Sequence, residues 1–415
     1  MRQLLIICFF IFNLNAGDLT LDINKQVDSL PSLAIENGSR HSNNLNKKFL
    51  RSLISDMNVL SLFNVDRKST NSDFSDPEVN RENKKKNYVL RFKLEPLDGT
   101  SYKTKIKFFE QNRVILQKNY TIHKEKLYVF VAHAIAYDVN KAMGEEDVDW
   151  IKRKVVISKL SGRNESEIII TDYTLAYQHV MIRGGLNVFP QWANERQDAL
   201  YYTSLSGLKP TLYRLDTKTG KKRKIISSDG MMVCSDVRAD GEKLLLTMAP
   251  NGQPDIYLFD VRSGKYQRLT KYSGIDVSGQ FLDDKNFVFI SNRMGYPNVF
   301  SKKIGSKSVE QMVYYGKSNV ACSAHKDYIV YKSRETSSAF SSNTFNLHLI
   351  STKTDFIRRL TATGVNEFPR FSKDGSAILF IKNYKNQSSI GVVRLEHNKN
   401  YLFPLKMGKI QSLDW

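Results

Sequence analysis

The side chains that could do chemistry in this chain are seven histidines, three cysteines and scattered carboxylates, and their spacing supports no reaction. His41, His123, His133, His179, His325, His348 and His397 show no metal-ligand spacing, and no Cys-x-x-Cys occurs. There is no Gly-x-Ser-x-Gly elbow to expose a nucleophile. There is no P-loop and no Gly-x-Gly-x-x-Gly to cradle a phosphate. No catalytic residue, metal or cofactor is assigned, and the chain reads as a non-enzyme. What remains is recognition. Arg293, Tyr296 and Arg334 are residue types enriched in interface hot spots. They lie in Asn292-Arg293-Met294-Gly295-Tyr296-Pro297 and Ser333-Arg334-Glu335-Thr336, where Gly295 and Pro297 equally suit a plain turn.

The elements that must position these residues form a repeat. Met231–Gly274 contains four strand signals: Val233–Val237, Lys243–Thr247, Asp255–Asp260 and Tyr266–Thr270. Turns rich in Gly, Asn, Asp and Pro separate them. Val237 is an anchor whose counterparts are Trp192, Phe281, His325, Phe371 and Trp415, at spacings of 45, 44, 44, 46 and 44 residues. A period of this size with four strands per unit marks β-propeller blades. No blade can cover both its faces alone, so the blades must close into a ring.

Five complete units run from about Leu186 to Gly408. The last anchor, Trp415, has one strand behind it, Ile410–Trp415. Lys154–Ile157, Glu167–Asp172 and Gln178–Ile182 supply three strands without an inner one. Together they predict a sixth blade, which removes two open sheet edges. In such blades, the loop entering each inner strand and the loop between second and third strands share one face. Asp236 and Gln280 should line the central channel. His325, at an anchor, is expected to be a packed core residue.

Residues 1–17 read as a secretory signal peptide: Arg2, the apolar run Leu4–Phe12, then Asn15-Ala16-Gly17. Asp18 follows where a lipid-anchored start needs Cys, and no later stretch is a membrane span. Residues 18–148 lack the 44-residue period and predict an α/β domain. Its strands are Leu19–Ile23, Val59–Val65, Tyr88–Leu94, Ser101–Phe109 and Arg113–Ile122. One helix starts at Asn43 or Asn44, and a second runs from Leu127 to near Gly144. Arg67–Lys86 reads as a loop and Glu145-Glu146-Asp147 as a linker. The fold class is therefore an all-β six-bladed propeller over residues 149–415 behind a smaller N-terminal α/β domain. Cys234 and Cys322 occupy one repeat position in non-adjacent blades, too far apart for a bridge, and are expected as buried free thiols.

The formal net charge is +20. The runs Lys84-Lys85-Lys86 and Lys221-Lys222-Arg223-Lys224 sit in predicted loops and turns without interleaved aromatics, so they read as solvated surface rather than a nucleic-acid platform. The sequons at Asn37, Asn119 and Asn164 read as chance.

Several segments together resemble the TolB family, periplasmic propeller proteins of the Tol-Pal system of Gram-negative bacteria. Asp172-Tyr173 with Tyr177-Gln178 is similar to the family's Asp-Tyr-Asp-Gly-Tyr-Asn-Gln. Pro190-Gln191-Trp192 and Pro369-Arg370-Phe371-Ser372-Lys373-Asp374-Gly375 are similar to its Pro-x-Trp-Ser-Pro-Asp-Gly. Ser291–Phe300 is similar to its Ser-Asp-Arg-x-Gly-x-Pro-x-Val/Ile-Tyr. The resemblance implies a monomeric periplasmic adaptor, without cofactor or metal. It would bind the lipoprotein Pal through one propeller face and TolA through its N-terminal segment, in outer-membrane integrity and constriction at division, with colicin import as a borrowed use. Carried over, the Pal face comprises Met231, Asp276, Asn292, Arg293, Ser333, Arg334 and Glu335. The TolA segment comprises Asp18, Leu19, Thr20, Leu21, Asp22, Ile23 and Asn24. The chain departs from the family at Met231-Met232, apolar where the family tends to be polar, at Leu282-Asp283-Asp284-Lys285, where the usual turn is lacking, and at Lys326-Asp327, where it is abbreviated. The alternative is an exported propeller binding a small ligand or peptide in its channel; a polyanion binder is a third reading.

Overall fold

A computed structural model describes residues 30–39, 43–316, 318–335, 344–385 and 387–415. The signal peptide, the strand expected at Leu19–Ile23 and the segment Asp18–Asn24 lie outside the described residues. Among those described, no helix is long and apolar enough to cross a membrane.

The N-terminal unit is a five-stranded mixed sheet in the order β2-β1-β3-β4-β5. The strands are β1 (Ser32–Asn37), β2 (Asn64–Asn71), β3 (Tyr88–Pro96), β4 (Tyr102–Glu110) and β5 (Arg113–Ile122). The sequence reading missed β1. It is parallel to both neighbours and buried on both faces, so it carries no alternation to find. The strand expected at Val59–Val65 is corrected too. Helix α1 (Asn44–Leu60) runs through its first residues and ends where Ser61 turns left-handed at φ 66°, its N–H bonding to Asn58. The strand then starts at Asn64 and continues into the expected loop. Asn43 is the N-cap, accepting from the Asn46 amide at 2.9 Å.

Helices α1 and α2 (Tyr128–Ala142) cover one sheet face. Phe49, Leu53 and Met57 meet Ile135 and Val139 over Leu90, Phe92, Ile106 and Phe108. On the other face Arg91 is fully buried. It pairs with Glu36 at 2.7 Å and donates to the carbonyls of Asp76 and Glu78, pinning the loop that follows β2.

Six blades of four strands follow, antiparallel within each blade, with inner strands at Asn187–Trp192, Met232–Val237, Asp276–Phe281, Asn319–His325, Val365–Phe371 and Lys409–Asp414; one parallel bridge, Phe345 to Val365, joins blades four and five into a single sheet. Apolar clusters lie between blades. In the second strand of blade two, Leu244 and Leu246 face blade one while Leu245 faces blade three. That is the two-residue period of a strand covered on both sides. The basic run Lys222-Arg223-Lys224, expected in a turn, begins the exposed outer strand of blade one, Lys222–Ser227.

The C-terminal strand closes the ring. Lys409–Asp414 pairs antiparallel with Val155–Gly162, and Glu165–Thr171 and Gln178–Ile182 complete the blade. Asp414 accepts the Trp192 amide of blade one at 2.8 Å, and Trp415 Nε1 donates to the Phe371 carbonyl of blade five at 2.9 Å.

The N-terminal unit is fastened to the propeller by a buried ionic cluster. His133 on α2 has Nδ1 2.9 Å from Asp56 of α1 and Nε2 3.4 Å from Asp172, which directly follows the strand Glu165–Thr171 of blade six. The Tyr173 hydroxyl donates to Asp56, and Asp172 also accepts the amides of Thr174 (2.8 Å) and Tyr177 (2.6 Å). All four side chains are fully buried. Burial alone would lower the His133 pKa, but the flanking carboxylates outweigh it and hold it at about 9. Burial likewise opposes ionisation of Asp172, yet His133 and the turn donors hold its carboxyl below the usual range.

Two outcomes follow from these two fastenings. Deleting residues 409–415 uncovers the Val155–Gly162 edge and removes Ile410, Leu413 and Trp415 from the core. The melting temperature should fall on the order of 10 °C, with aggregation; a truncated chain melting like the full one contradicts closure. The folded pKa of His133 exceeds its ordinary value of 6.5, so its stabilisation is complete below pH 6.5 and lost as pH rises through about 9. His133→Leu should destabilise by about 3–5 kcal/mol near neutrality and flatten the fall in melting temperature over that window. An unchanged slope counts against the pairing.

Candidate functional site

The two loop sets expected to share a face do so, around the mouth of the central channel. The mouth is a cavity of about 430 Å³. Its walls are mainly apolar: Phe189 and Phe368, whose rings lie 6.1 Å apart, with Met231, Met232, Val277 and Leu413. Phe189 and Phe368 hold left-handed backbones, φ 53° and 49°, a strain that the surrounding ring must impose. Cys234 and Cys322 also line this cavity and are free and buried. Cys234 packs between blades one and two, Cys322 between blades three and four. Burial drives both thiols up, Cys322 to about 12, so neither is a ready nucleophile.

The floor comes from the residue before each anchor. Gln191, Gln280 and Arg370 line both this cavity and a second one, of about 410 Å³, opening on the opposite face. Arg370 donates to Gln280 Oε1 and to the Ser235 carbonyl at 3.3 Å, and Gln280 Nε2 donates to the same carbonyl. These bonds bar the waist. Asp236 and Asp414 occupy equivalent places and line the second cavity. Asp236 accepts the Val237 and Phe281 amides at 2.9 and 2.7 Å. Burial raises its pKa to about 6, with Arg370 pulling the other way; burial raises Asp414 likewise. The far mouth is charged, with Arg238, Asp283, Lys326 and Lys373 on its rim. His325 also stands there, half-buried against the Phe371 ring.

The residues expected on the Pal face separate into two groups. Met231 is 47% exposed and lines the mouth, and Arg334 is exposed. Asp276 and Ser333 are buried, which corrects their reading as contact surface. Asp276 lies five residues before its anchor, the place Asn187 and Asn366 hold in blades one and five, where a buried polar side chain ties loops together. Arg293 is a brace rather than a free hot spot. It pairs with both Asp276 oxygens at 3.0 Å and lies 5.0–5.2 Å from the rings of Tyr272, Phe289 and Phe300. Asn292 accepts the Ile275 amide at 2.8 Å, and Glu335 is held by His348 and Arg359. The TolA segment Asp18–Asn24 lies outside the described residues.

Sequence reasoning missed the apolar rim. Leu205 and Leu208 lie between second and third strands of blade one, Met294 in the same loop of blade three, and Tyr384 ends the second strand of blade five. Ile275, Tyr314, Tyr315 and Met407 lie in loops entering inner strands. All are exposed, Tyr314 by 72% and Met407 by 80%. A large apolar side chain in a Gly- or Pro-marked turn was the available signal, since folding does not require it there.

The fold and its mouth define a two-domain β-propeller protein whose ring is sealed by its own C-terminal strand. The family model described as the TolB beta propeller domain matches residues 150–415. The Tol-Pal system protein TolB of Wolinella succinogenes is 46% identical, with 100% of both chains covered. Its namesake in Campylobacter jejuni is 42% identical over 98% of each chain, and that of Helicobacter pylori strain HPAG1 38% identical over 100% of each. The crystal structure of TolB from Acinetobacter baumannii superposes with a TM-score of 0.75 at 18% identity, covering 92% of this chain and 96% of that one. The chain belongs to the TolB family of Tol-Pal system proteins.

The waist carries a pH signature. The Asp236 pKa of about 6 exceeds the ordinary 3.8, so its contribution to stability is greatest below pH 3.8 and is lost as pH rises through about 6. Asp236→Asn should flatten the dependence of melting temperature on pH between these values. The same slope in both proteins contradicts the burial argument.

Proposed function

We propose that this chain is a periplasmic adaptor of the Tol-Pal system that works by binding other proteins and not by catalysis. Its propeller face binds the lipoprotein Pal at the apolar mouth, with Met231 at the contact and Arg334 on the rim. Its N-terminal region, Asp18–Asn24, engages TolA. The complex serves outer-membrane integrity and constriction during division, and colicin segments use the same system. The chain acts as a monomer.

The observation that carries this reading is the apolar rim. Met231, Ile275 and Val365 each stand six residues before an anchor; Met231 and Ile275 are exposed and Val365 partly so. In these three blades an apolar residue stands where solvent reaches it, which folding alone disfavours and partner burial favours; blades four and six hold Asn319 and Lys409 at that place. Membership in a family of Tol-Pal system proteins supports a partner within that system.

The test is titration of the mature chain with soluble Pal. Met231→Asp places a charge in the buried centre of the contact and should weaken binding at least tenfold, about 1.4 kcal/mol or more. Its melting temperature should stay unchanged, because Met231 is exposed. Absence of Pal binding by the parent chain, or equal binding by both, removes Pal from this face. A small-molecule thermal shift abolished by Gln280→Ala would then favour the channel-ligand reading.

A further inference from the structure

The face around the mouth is cationic as well as apolar. Lys271 precedes the inner strand of blade three, Arg334 stands at the end of a strand in blade four, Lys385 lies in the corresponding loop of blade five, Lys406 precedes Met407 in the loop entering the inner strand of blade six, and Lys409 begins that strand. All five are exposed. None forms an ion pair among the described residues, whereas the carboxylates of the same face are mostly engaged. Asp229 pairs with Lys209, Glu335 with Arg359 and His348, and Asp276 lies buried beneath Arg293. Glu165, at the start of a strand in blade six, is exposed and has no ion pair among the described residues. The balance around the mouth is therefore positive, and it is local: the opposite mouth mixes Asp283, Asp284 and Glu195 with its cations.

We propose that this face selects an acidic protein partner: a projection with an apolar tip that enters the mouth, ringed by carboxylates that meet Lys271, Arg334, Lys385, Lys406 and Lys409. The inference rests on the docking reading above and adds the chemistry that the docked surface must carry. Shape decides for protein over membrane, because a flat bilayer would leave the recessed cavity of about 430 Å³ unfilled. The two kinds of side chain divide the work. Exposed cations act over about 8–10 Å and chiefly set how fast the partners meet. The apolar residues at the centre, excluded from water once docked, chiefly set how slowly they part.

The experiment uses the full mature chain, with soluble Pal as probe, and measures association and dissociation rates from about 20 to about 300 mM salt. The association rate should fall roughly tenfold or more over that range. A Lys271→Glu, Arg334→Glu, Lys406→Glu, Lys409→Glu variant should associate slowly even at low salt, with its dissociation rate and melting temperature little changed. If Pal binds but its association rate ignores both salt and charge reversal, the acidic-partner inference fails and the docking reading stands. If Pal does not bind at any salt, the docking reading itself fails. Phosphatidylglycerol vesicles run in parallel. Vesicle binding that the reversal abolishes, with Pal association untouched, assigns the cations to a membrane and overturns the inference.

Discussion

A four-stranded blade is apolar on both sides, and nothing within the blade can cover either. The rest of this structure depends on that constraint. Leu244, Leu245 and Leu246 are buried in alternate directions only because a blade stands on each side. The requirement passes round the ring until the first blade in space meets the last strand in sequence. There the chain uses six residues, Lys409–Asp414, as the inner strand of a blade whose other strands lie some 250 residues earlier. The joint is more than a sheet pairing. Asp414 reaches forward to blade one and Trp415 back to blade five, so one strand locks three blades. The same arrangement recurs without a chain break, where Asp236 accepts the Phe281 amide and Ser323 the Phe371 amide. The seam is thus built like an ordinary blade junction.

The second fastening has a different physical character. Asp56, His133, Asp172 and Tyr173 have the makings of a proton relay, but all are closed to solvent, so no substrate reaches them. Buried ion pairs contribute little net stability once desolvation is counted, and their best attested use is to fix one register over others. Here three elements from two units must meet in one orientation for each charge to find its partner. The apolar contacts at the joint, such as Trp150 and Phe403 against Tyr173, are less demanding of geometry. The division of roles follows: apolar burial holds the N-terminal unit against blades five and six, and the charge cluster decides how it sits.

Much of this was legible in the sequence because the propeller states its constraint six times. Trp192, Val237, Phe281, His325, Phe371 and Trp415 fall at nearly equal spacing because each occupies the same place in a wheel. That regularity gave blade number and closure. The N-terminal unit states its constraints once. Its first strand, an interior one with Leu33-Ala34-Ile35 at the core, is buried from both sides and so short that no period can show. Ser61 ends α1 without glycine, so nothing in the residue types marked the stop before Asn64. The ionic cluster left only a faint trace: Asp56 and His133 are polar residues on the mainly apolar buried stripes of their helices, which also carry Asn46, Ser52 and Asn140.

The structure sorts the residues of the candidate site by burial, and the physical reason shows how such a site is better read. Arg293 was singled out for its residue type and Asp276 was carried over from the family resemblance. In a repeat, however, the place matters more than the type. Asp276 fills a place that Asn187 and Asn366 also fill, and all three are buried, so the requirement there is internal. Arg293 neutralises Asp276 and fills space beside three rings, so its charge is already committed. A functional position in such a protein satisfies the opposite condition: its side chain meets no internal demand of the blade. Met231, Ile275, Tyr314 and Met407 meet that condition, since each is apolar, exposed and set in a turn that polar residues would serve as well. The uncommitted lysines beside them meet it too. The residues that the wheel does not need gather on one face of it, and that is where the proposed partner recognition falls.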